Sequence, residues 1–376
     1  MPRNPTTRLG KFSDGYPLFR YKTRRLNDQL SITHCPHYVP ARPTGIRRIL
    51  HHTSFAVTAI FPALWHSLRH RPDLVVVVAP SLISAPIGYL AALLCGARKW
   101  LHVQDFEVEA AFATGLLKDS GFFSRAASGF ERWCLTRFDL VTTISKPMLV
   151  KLVEKGVDPE RVYEFRNWAD LEAVSPLDGP SPLKQELGIN AKHVILYSGN
   201  IANKQGLEII PEAAQILKSR KDIMFAVFGD GPALKTLKEK SSGLENVAFY
   251  PLQPKARLSD LMGIADIHVL PQLSGAADLV LPSKLTNMLA SGKPVVATAD
   301  AGTALADEVL GSGLITLPGD ANALAEAVVR LIDDPTQREK FGKQARHTAI
   351  ERWDKQQILS GLLARLHVLT ERQESP

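Results

Sequence analysis

Short apolar runs alternate with amphipathic stretches from about residue 72 onward. In the first half of the chain, four runs rich in β-branched residues predict buried strands: RPDLVVVVAP (71–80), KWLHVQDFE (99–107), DLVTTIS (139–145) and RVYEF (161–165). Stretches of helical periodicity lie between them, the clearest being FFSRAASGFERWCLTRF (122–138). Continuous apolar strands separated by helices indicate a parallel sheet that is covered on both faces.

The same alternation starts again after PLDGPSPL (176–183), whose Pro, Gly and Ser residues predict a linker. Helices are predicted at 334–353 and 355–369, and six further strands at 193–199, 223–229, 246–252, 266–272, 293–298 and 314–319. We therefore predict an α/β protein with two doubly wound domains in series. The predicted boundaries are 1–178 for the first domain, 179–352 for the second, and 353–376 for a last helix that crosses back to the first domain.

Positive charge is concentrated at the start of the chain. The net charge is +7, and the first 75 residues hold twelve Arg or Lys residues against three Asp. A basic end on a near-neutral body fits nucleic acid or an anionic membrane surface. The sequence lacks zinc-finger, helix-turn-helix and aromatic RNA-binding motifs, so we expect no nucleic acid and favour the membrane surface.

Two apolar stretches follow this basic region, TSFAVTAIFPALWHSL (53–68) and LISAPIGYLAALLCGA (82–97). Each is shorter than the roughly 20 residues that a membrane-spanning helix needs. They fit either helices packed on a sheet or helices that lie in the membrane interface. The three cysteines, Cys35, Cys95 and Cys134, are too widely spaced for a disulfide framework or a metal cluster, which favours a reducing compartment.

Polar and glycine-rich loops follow the strands of the second series. In open α/β sheets the ligand lies outside the carboxyl ends of the strands, and two facing domains would place it in the cleft between them. The loop after strand 193–199 contains Gly199, Asn200, Lys204 and Gln205 ahead of a helix. This composition fits a phosphate site, although a merely solvated loop has the same composition.

The loop after strand 223–229 contains Gly229-Asp230-Gly231-Pro232. Glycine allows a close approach of the backbone to a ligand, and Pro232 suits the first turn of the next helix. A tight strand-to-helix turn without a ligand would use the same residues. The pattern leaves both interpretations open.

The stretch LPSKLTN (281–287) predicts the start of another helix, with Ser283 as its cap and Lys284 in its first turn. The helix dipole disfavours a cation there unless an anion pairs with it. We therefore predict that this helix start binds phosphate, as part of a diphosphate. A lysine that faces solvent without a function is the alternative.

The first domain offers candidate proton acceptors at the end of its strand 99–107. His102 and Asp105 could each accept a proton from a sugar hydroxyl. Neighbouring side chains of a strand point to opposite faces, so not every polar group in this stretch can face one site. Each of these residues could equally serve the fold.

The order and spacing of these motifs resemble the family-4 retaining glycosyltransferases with the GT-B fold. The resemblance rests on YSGNIANKQGLE (197–208), FGDGPALKTL (228–237), NVAFYPLQP (246–254), ADIHVLPQ (265–272), LPSKLTNMLASGKPVVAT (281–298) and GLITLPGDANALAEAV (313–328). In the first half, CPHYVPARPTGIRRILHHTSFA (35–56), VAPSLISAP (78–86), WLHVQDFEVEAAF (100–112) and ISKPM (144–148) are similar to the colanic-acid-type exopolysaccharide glycosyltransferases. Fucosyl transfer is ascribed to that group.

This resemblance, which covers about residues 14–370, implies two Rossmann-like domains with an interdomain cleft. It implies a cytoplasmic enzyme, peripheral at the inner face of the plasma membrane, that needs neither a cofactor nor a metal. The enzyme would move a hexose, with fucose as one candidate, from a GDP- or UDP-linked donor to a lipid-linked oligosaccharide in exopolysaccharide, capsule or colanic acid biosynthesis.

The resemblance also implies roles for individual residues of the second domain. Lys204 and Gln205 would neutralise the diphosphate, and residues 229–232 would lie beside the nucleotide. Residues from Tyr250 to Leu252 would face the base. Ser283, Lys284 and the amides after them would hold the phosphate and the sugar. Asn287 stands where many family members have a glutamate that contacts the ribose or the sugar.

Nothing before residue 72 resembles the strand, glycine-rich turn and helix that open the first domain in this family. The sequence therefore indicates an incomplete N-terminal domain, from a misassigned start or a truncated gene. Two other hypotheses stand beside the glycosyltransferase: a sugar epimerase of the same fold, and an inactive remnant. The remnant would bind nucleotide or scaffold a polysaccharide assembly complex.

Overall fold

The computed structural model describes residues 20–40, 45–79, 81–106, 108, 121–202, 205–274 and 283–371. The chain divides into two compact units. The first comprises residues 1–144, 148–165 and 364–376, and the second comprises residues 145–147 and 166–363. Each unit is built around its own parallel sheet.

The first unit contains an antiparallel hairpin and a four-stranded parallel sheet of order β3-β4-β5-β6. The strands are β1 (Lys22–Arg25), β2 (Ser31–His34), β3 (Leu74–Ala79), β4 (Arg98–Val103), β5 (Leu140–Thr143) and β6 (Val162–Glu164). The helices in this part of the chain are α1 (Gly45–His70), α2 (Ala85–Cys95), α3 (Phe122–Thr136) and α4 (Lys146–Glu154).

One apolar cluster forms the core of the first unit. It joins side chains of β3, β4 and β5, such as Val77 and Leu101, to Phe138 and other residues around α3. The α2 helix approaches β3 closely because position 88 is glycine, and a Cβ on Gly88 would overlap the Val77 side chain. The other face of edge strand β3 carries exposed valines, among them Val78.

The second unit contains a six-stranded parallel sheet of order β12-β11-β10-β7-β8-β9. Its strands are β7 (His193–Asn200), β8 (Ile223–Asp230), β9 (Val247–Tyr250), β10 (Ile267–Leu270), β11 (Val295–Thr298) and β12 (Gly313–Thr316). The helices are α5 (Pro182–Glu186), α6 (Ile209–Ile216), α7 (Leu234–Lys240), α8 (Leu258–Gly263), α9 (Lys284–Ala290), α10 (Ala304–Val309), α11 (Ala321–Asp333), α12 (Pro335–Trp353) and α13 (Lys355–Glu371).

Both faces of the second sheet are packed. Successive side chains of a strand point to opposite faces, and β7 follows this rule. Val194 and Leu196 belong to one buried cluster, while Ile195 and Tyr197 belong to another. All four side chains are almost completely buried. The second sheet is therefore a rigid base for the loops that leave its strands.

The structure confirms the predicted α/β class, and all ten predicted strands form. The hairpin of β1 and β2 was not predicted, because KTRR offers no apolar alternation. The apolar stretches 53–68 and 82–97 lie largely within α1 and α2. In the described part of the chain, no helix combines the length and the hydrophobicity needed to cross a bilayer. The predicted domain boundaries stay predictions.

Candidate active site

The strand order of the second sheet contains a switch point. β7 and β10 are neighbours, and the chain continues from β7 toward one edge of the sheet and from β10 toward the other. Loops that leave two such strands in opposite directions open a crevice at their carboxyl ends, which is where ligands bind in open α/β sheets. The predicted residues Gly199 and Asn200 end β7, Gln205 lies in the loop after it, and Lys284 follows β10.

Lys284 reaches across this switch point. It is the first residue of α9, and its ammonium nitrogen Nζ donates to the Tyr197 hydroxyl. Nζ lies 4.3 Å from the centroid of the Tyr197 ring and 3.5 Å from the carbonyl oxygen of Asn200. The lysine that the sequence singled out therefore meets the loop after β7.

The Tyr197 hydroxyl also contacts the end of β7 and the loop that follows it. Its oxygen lies 2.7 Å from the Asn200 carbonyl oxygen and 2.9 Å from Gln205 Oε1. A phenol has one proton to donate, so these two acceptors share it. Burial raises the pKa of Tyr197 well above its ordinary value. The phenol therefore stays protonated at neutral pH and can accept a hydrogen bond from the Lys284 ammonium.

Gly199 makes room for the lysine. A Cβ at this position would overlap Lys284 Cε, and the φ angle of 148° is one that residues with a side chain rarely adopt. The bare backbone of Gly199 thus forms one wall of the channel through which the Lys284 side chain passes.

The glycines of the next loop pack against the loop after β7. A Cβ on Gly229 would overlap the Gly199 carbonyl oxygen, and a Cβ on Gly231 would overlap the Ile201 carbonyl oxygen. Backbone packing alone thus requires both glycines. The expectation that Pro232 lies in the first turn of the next helix was wrong, because α7 begins at Leu234 and the proline lies in the turn before it. Its position beside the nucleotide stays a prediction.

The expectation that Ser283 caps α9 was also wrong. Ser283 occupies the N-cap position, but its side chain makes no capping hydrogen bond and its φ of −59° and ψ of −12° are already helical. Its carbonyl oxygen instead accepts a hydrogen bond of 3.0 Å from the Thr286 hydroxyl. Asn287 is half-buried one turn into the helix, and Lys284 does lie in the first turn, as predicted.

Comparison with known proteins gives the same assignment for both halves of the chain. Residues 13–168 match the glycosyl transferase 4-like domain, and residues 182–348 match the glycosyl transferases group 1 family. WcaI of Escherichia coli (strain K12), which is named as a glycosyl transferase of colanic acid biosynthesis, is 39% identical over 370 residues. That match covers 95% of this chain and 88% of WcaI. The chain belongs to the group 1 glycosyltransferases.

Solved structures of the GT-B type share the fold of this glycosyltransferase. Sucrose-phosphate synthase of Thermosynechococcus elongatus superimposes with a TM-score of 0.72 at 18% identity, covering 95% of this chain and 87% of that one. HepE of Anabaena, solved in complex with UDP and glucose, gives a TM-score of 0.66 at 20% identity, covering 82% and 81%. At these identities the likeness concerns the fold alone.

The base-binding candidates of the glycosyltransferase lie at the opposite edge of the sheet from β12. Tyr250 ends β9 and stacks on the buried ring of Phe228, with the two ring centroids 4.6 Å apart and 18° between the ring planes. Leu252, two residues further on, is exposed. Their contact with a base stays a prediction.

His102 has protein partners at both ring nitrogens. Nδ1 lies 2.8 Å from Thr142 Oγ1, and Nε2 lies 3.2 Å from Gln104 Nε2. Both ring nitrogens are thus engaged by protein groups, which fixes the orientation of the ring. Burial lowers the pKa of His102 to about 4, while the Thr142 contact raises it. This geometry favours a structural role for His102, whereas Asp105 is half-buried in the bend after β4.

The structure thus brings Gly199, Asn200, Gln205 and Lys284 together and adds Tyr197, which the sequence did not single out. The missed signal was a hydroxyl inside the otherwise apolar run HVILYSG, directly before the loop. Lys204 lies outside the described residues. Within those residues, no group of three or more His, Cys, Asp or Glu side chains is placed to hold a metal ion.

Proposed function

We propose that this glycosyltransferase moves a hexose from a nucleotide-diphosphate sugar to a lipid-linked oligosaccharide in exopolysaccharide assembly of the colanic acid type. The main support for the proposal is the position of the Lys284 ammonium, which donates a hydrogen bond to the Tyr197 hydroxyl at the switch point of the second sheet. The name of WcaI supports the pathway, and the UDP bound to HepE supports a nucleotide-diphosphate donor. GDP and UDP are both candidate donor nucleotides, and fucose is a candidate sugar.

In the proposed reaction, the acceptor hydroxyl oxygen bonds to the anomeric carbon on the face from which the diphosphate leaves. The bond from that carbon to the diphosphate breaks, and the hydroxyl proton passes to the departing diphosphate oxygen. As the bond breaks, negative charge builds on the leaving diphosphate oxygen. A cation fixed at that position stabilises the transition state without reorganising, which is electrostatic catalysis. We assign this role to Lys284, and we propose that transfer retains the anomeric configuration and needs no metal.

Replacing this cation tests the assignment. We expect Lys284→Ala to lower kcat/KM for nucleoside diphosphate release from the donor by about 10²–10³-fold, as the loss of one transition-state donor typically does. The assay uses the purified chain with membranes that carry the acceptor and a panel of GDP- and UDP-sugars. Lys343→Ala is the matched control, because Lys343 is an exposed lysine of α12 in the same unit, paired with Glu339.

The control variant is expected to keep the wild-type rate. A Lys284→Ala variant that also kept it would contradict the assignment of Lys284. Activity that a chelator abolished and an added divalent cation restored would contradict metal independence.

We also propose that the first unit docks on an anionic membrane at the cytoplasmic side, through an outer apolar stripe on α1. The stripe comprises Val57, Ile60, Phe61, Trp65 and Leu68, which recur at helical spacing and are all exposed. Phe61 and Trp65 are 69% and 57% exposed, and their rings stack with centroids 6.3 Å apart. Exposed leucines of α2, Leu90, Leu93 and Leu94, extend the apolar area of this unit.

The charges of the same unit are complementary to anionic lipid. The α1 helix contains Arg47, Arg48 and Arg69 and no Asp or Glu. The adjoining hairpin carries exposed basic residues at β1, and the Tyr21 hydroxyl joins it to α1 by donating to the Thr58 carbonyl oxygen at 2.8 Å. Apolar residues between basic ones are typical of a helix that lies in a membrane interface.

Vesicle sedimentation tests this surface. We expect the chain to bind vesicles of phosphatidylglycerol and phosphatidylcholine, and Phe61→Ser with Trp65→Ser to weaken binding at least about tenfold through lost apolar burial. Leu310→Ser is the control, because Leu310 is a highly exposed apolar residue of the second unit. Equal loss of binding in both variants, or equal binding to vesicles of phosphatidylcholine alone, would contradict the proposal.

A further inference from the structure

We propose that Tyr197, held by Gln205 and the Asn200 carbonyl, is a positioning residue that fixes the Lys284 ammonium for the departing diphosphate. The inference rests on the proposed function, because it concerns the residue through which that function is carried. Tyr197 acts on the reaction only through Lys284, so it is not a catalytic residue.

Two different parts of the Tyr197 side chain contact the ammonium. Nζ lies 4.3 Å from the ring centroid, and the hydroxyl accepts a hydrogen bond from the same nitrogen. The ring attracts the cation through its quadrupole, and the hydroxyl adds direction. A four-carbon side chain with many rotamers is thereby restricted to one position.

The Tyr197 side chain is fixed by its burial in the core. Tyr197 is 1% exposed, and its neighbours in the core are residues such as Ile195 and Ile201. Its hydroxyl proton is directed away from the lysine, toward Asn200 O at 2.7 Å and Gln205 Oε1 at 2.9 Å. The oxygen lone pairs therefore remain for the ammonium. The hydroxyl is an oriented acceptor rather than a rotating one.

Gln205 has a different role here from the one that the family resemblance implies. Its side-chain oxygen accepts from the Tyr197 hydroxyl, and the backbone N–H of Ala202 lies 3.5 Å from the same oxygen. Gln205 thus orients the phenol and closes its own loop. The positive charge that faces the leaving group in this proposal comes from Lys284.

The first experiment observes Lys284 directly. Side-chain NMR of lysine-labelled protein, with the Lys284 signal assigned through Lys284→Ala, measures exchange of its ammonium protons with water. We expect slow exchange in the wild type and exchange at least about fivefold faster in Tyr197→Phe, which keeps the ring and removes the hydroxyl acceptor. Unchanged exchange would overturn the proposal, whatever the activity.

The second experiment is an activity cycle of wild type, Tyr197→Phe, Lys284→Ala and the double variant. We expect Tyr197→Phe to lower kcat about tenfold with the donor KM changed less than threefold. The same substitution should have no further effect in the Lys284→Ala background. Independent effects that multiply in the double variant would show that Tyr197 does not act through Lys284 and would overturn the proposal.

The controls separate this inference from the proposed function. Tyr89→Phe removes a phenol hydroxyl in the first unit and is expected to leave kcat unchanged, whereas Gln205→Leu should repeat the Tyr197→Phe effect in weaker form. Faster ammonium exchange in Tyr197→Phe together with full activity of Lys284→Ala would contradict the proposed function. In that case the positioning of Lys284 by Tyr197 would still hold.

Discussion

The two sheets of this glycosyltransferase are packed differently. In the second unit, buried clusters lie on both faces of the sheet, and the side chains of β7 alternate between them. In the first unit, one buried apolar cluster packs on one face, and Trp100, His102 and Leu140 are buried on the other, but edge strand β3 and helices α1 and α2 expose valine, leucine and aromatic side chains. The second unit contains the Lys284 site, and the first contains the apolar stripe of α1.

This difference fits the roles that we propose for the two units. A cation that stabilises a leaving group has to be held in one place, which requires rigid, well-packed residues around it. A surface that meets lipid requires exposed apolar area flanked by positive charge, which a closed core would remove. The same residue types thus stabilise the fold in the second unit and remain available for contact in the first.

The largest effect that tests the comparison is the loss of a buried aromatic side chain. Phe225 in β8 is fully buried, so we expect Phe225→Ala to lower the free energy of unfolding by about 3–5 kcal/mol. Phe61→Ala on α1 should change it by less than about 0.5 kcal/mol, because that ring is already in water. Denaturant unfolding measures both, and equal losses would remove the distinction between the two units.

The next effect concerns activity rather than stability. We expect Gly199→Ala to lower kcat/KM about a hundredfold, since its Cβ overlaps Lys284 Cε and displaces the ammonium. Gly188→Ala is the matched control, because Gly188 also has a positive φ, of 63°, but a Cβ there would meet nothing within 4 Å. Both variants should lose about 1–2 kcal/mol of stability from strain. A Gly199→Ala variant as active as the control would show that activity does not require the space that Gly199 leaves for the Lys284 side chain.

A smaller effect on stability is expected from pH, through the fully buried His268 of the second unit and the buried His102 of the first. His268 in β10 is fully buried, and its Nε2 lies 3.0 Å from Ser291 Oγ, whereas no partner of Nδ1 occurs among the described residues. Burial, with a smaller effect of Lys293, lowers the pKa of His268 from 6.5 to about 3. In the first unit, burial lowers the pKa of His102 to about 4.

Because both pKa values are lowered on folding, the unfolded chain takes up protons first as the pH falls. Stability is therefore complete above the unfolded pKa of 6.5 and falls as the pH drops toward the folded values. For His268 the loss is about 2 kcal/mol between roughly pH 7 and pH 5. Thermal unfolding across this range should show a flatter pH profile for His268→Gln than for the wild type, and a similarly flatter one for His102→Gln, because both folded pKa values lie below pH 5. A variant that kept the wild-type profile would contradict the assignment of its histidine.

The strands of the second sheet could be predicted because buried parallel strands leave a continuous apolar run, as HVILYSG and IMFAVFG do. The run LVVVVA also predicts a fully buried strand, and that part of the prediction was wrong, because Val76 and Val78 in edge strand β3 are exposed. The hairpin of β1 and β2 could not be predicted, since the residues of β1 are all exposed and its pairing depends on β2. The local sequence pattern predicts strands in a sheet core well, but it predicts pairing between exposed strands poorly.

For the site, the sequence singled out Lys284 because a cation in the first turn of a helix conflicts with the dipole. It could not predict Tyr197, whose importance depends on β7 and α9 meeting across the switch point. It also overestimated Ser283 as a cap, because the backbone at that residue is already helical. An unfavourable residue within one helix can be recognised from the sequence. A contact between elements that are distant in the sequence can be recognised only once the fold is known.

The most direct measurement is a crystal structure of this chain with a bound nucleoside diphosphate. We expect a phosphate oxygen within about 2.7–3.2 Å of Lys284 Nζ, beside Gly199 and Asn200 at the carboxyl end of β7. Phosphates bound elsewhere on the chain, with the Lys284 side chain out of their reach, would contradict the assignment of Lys284.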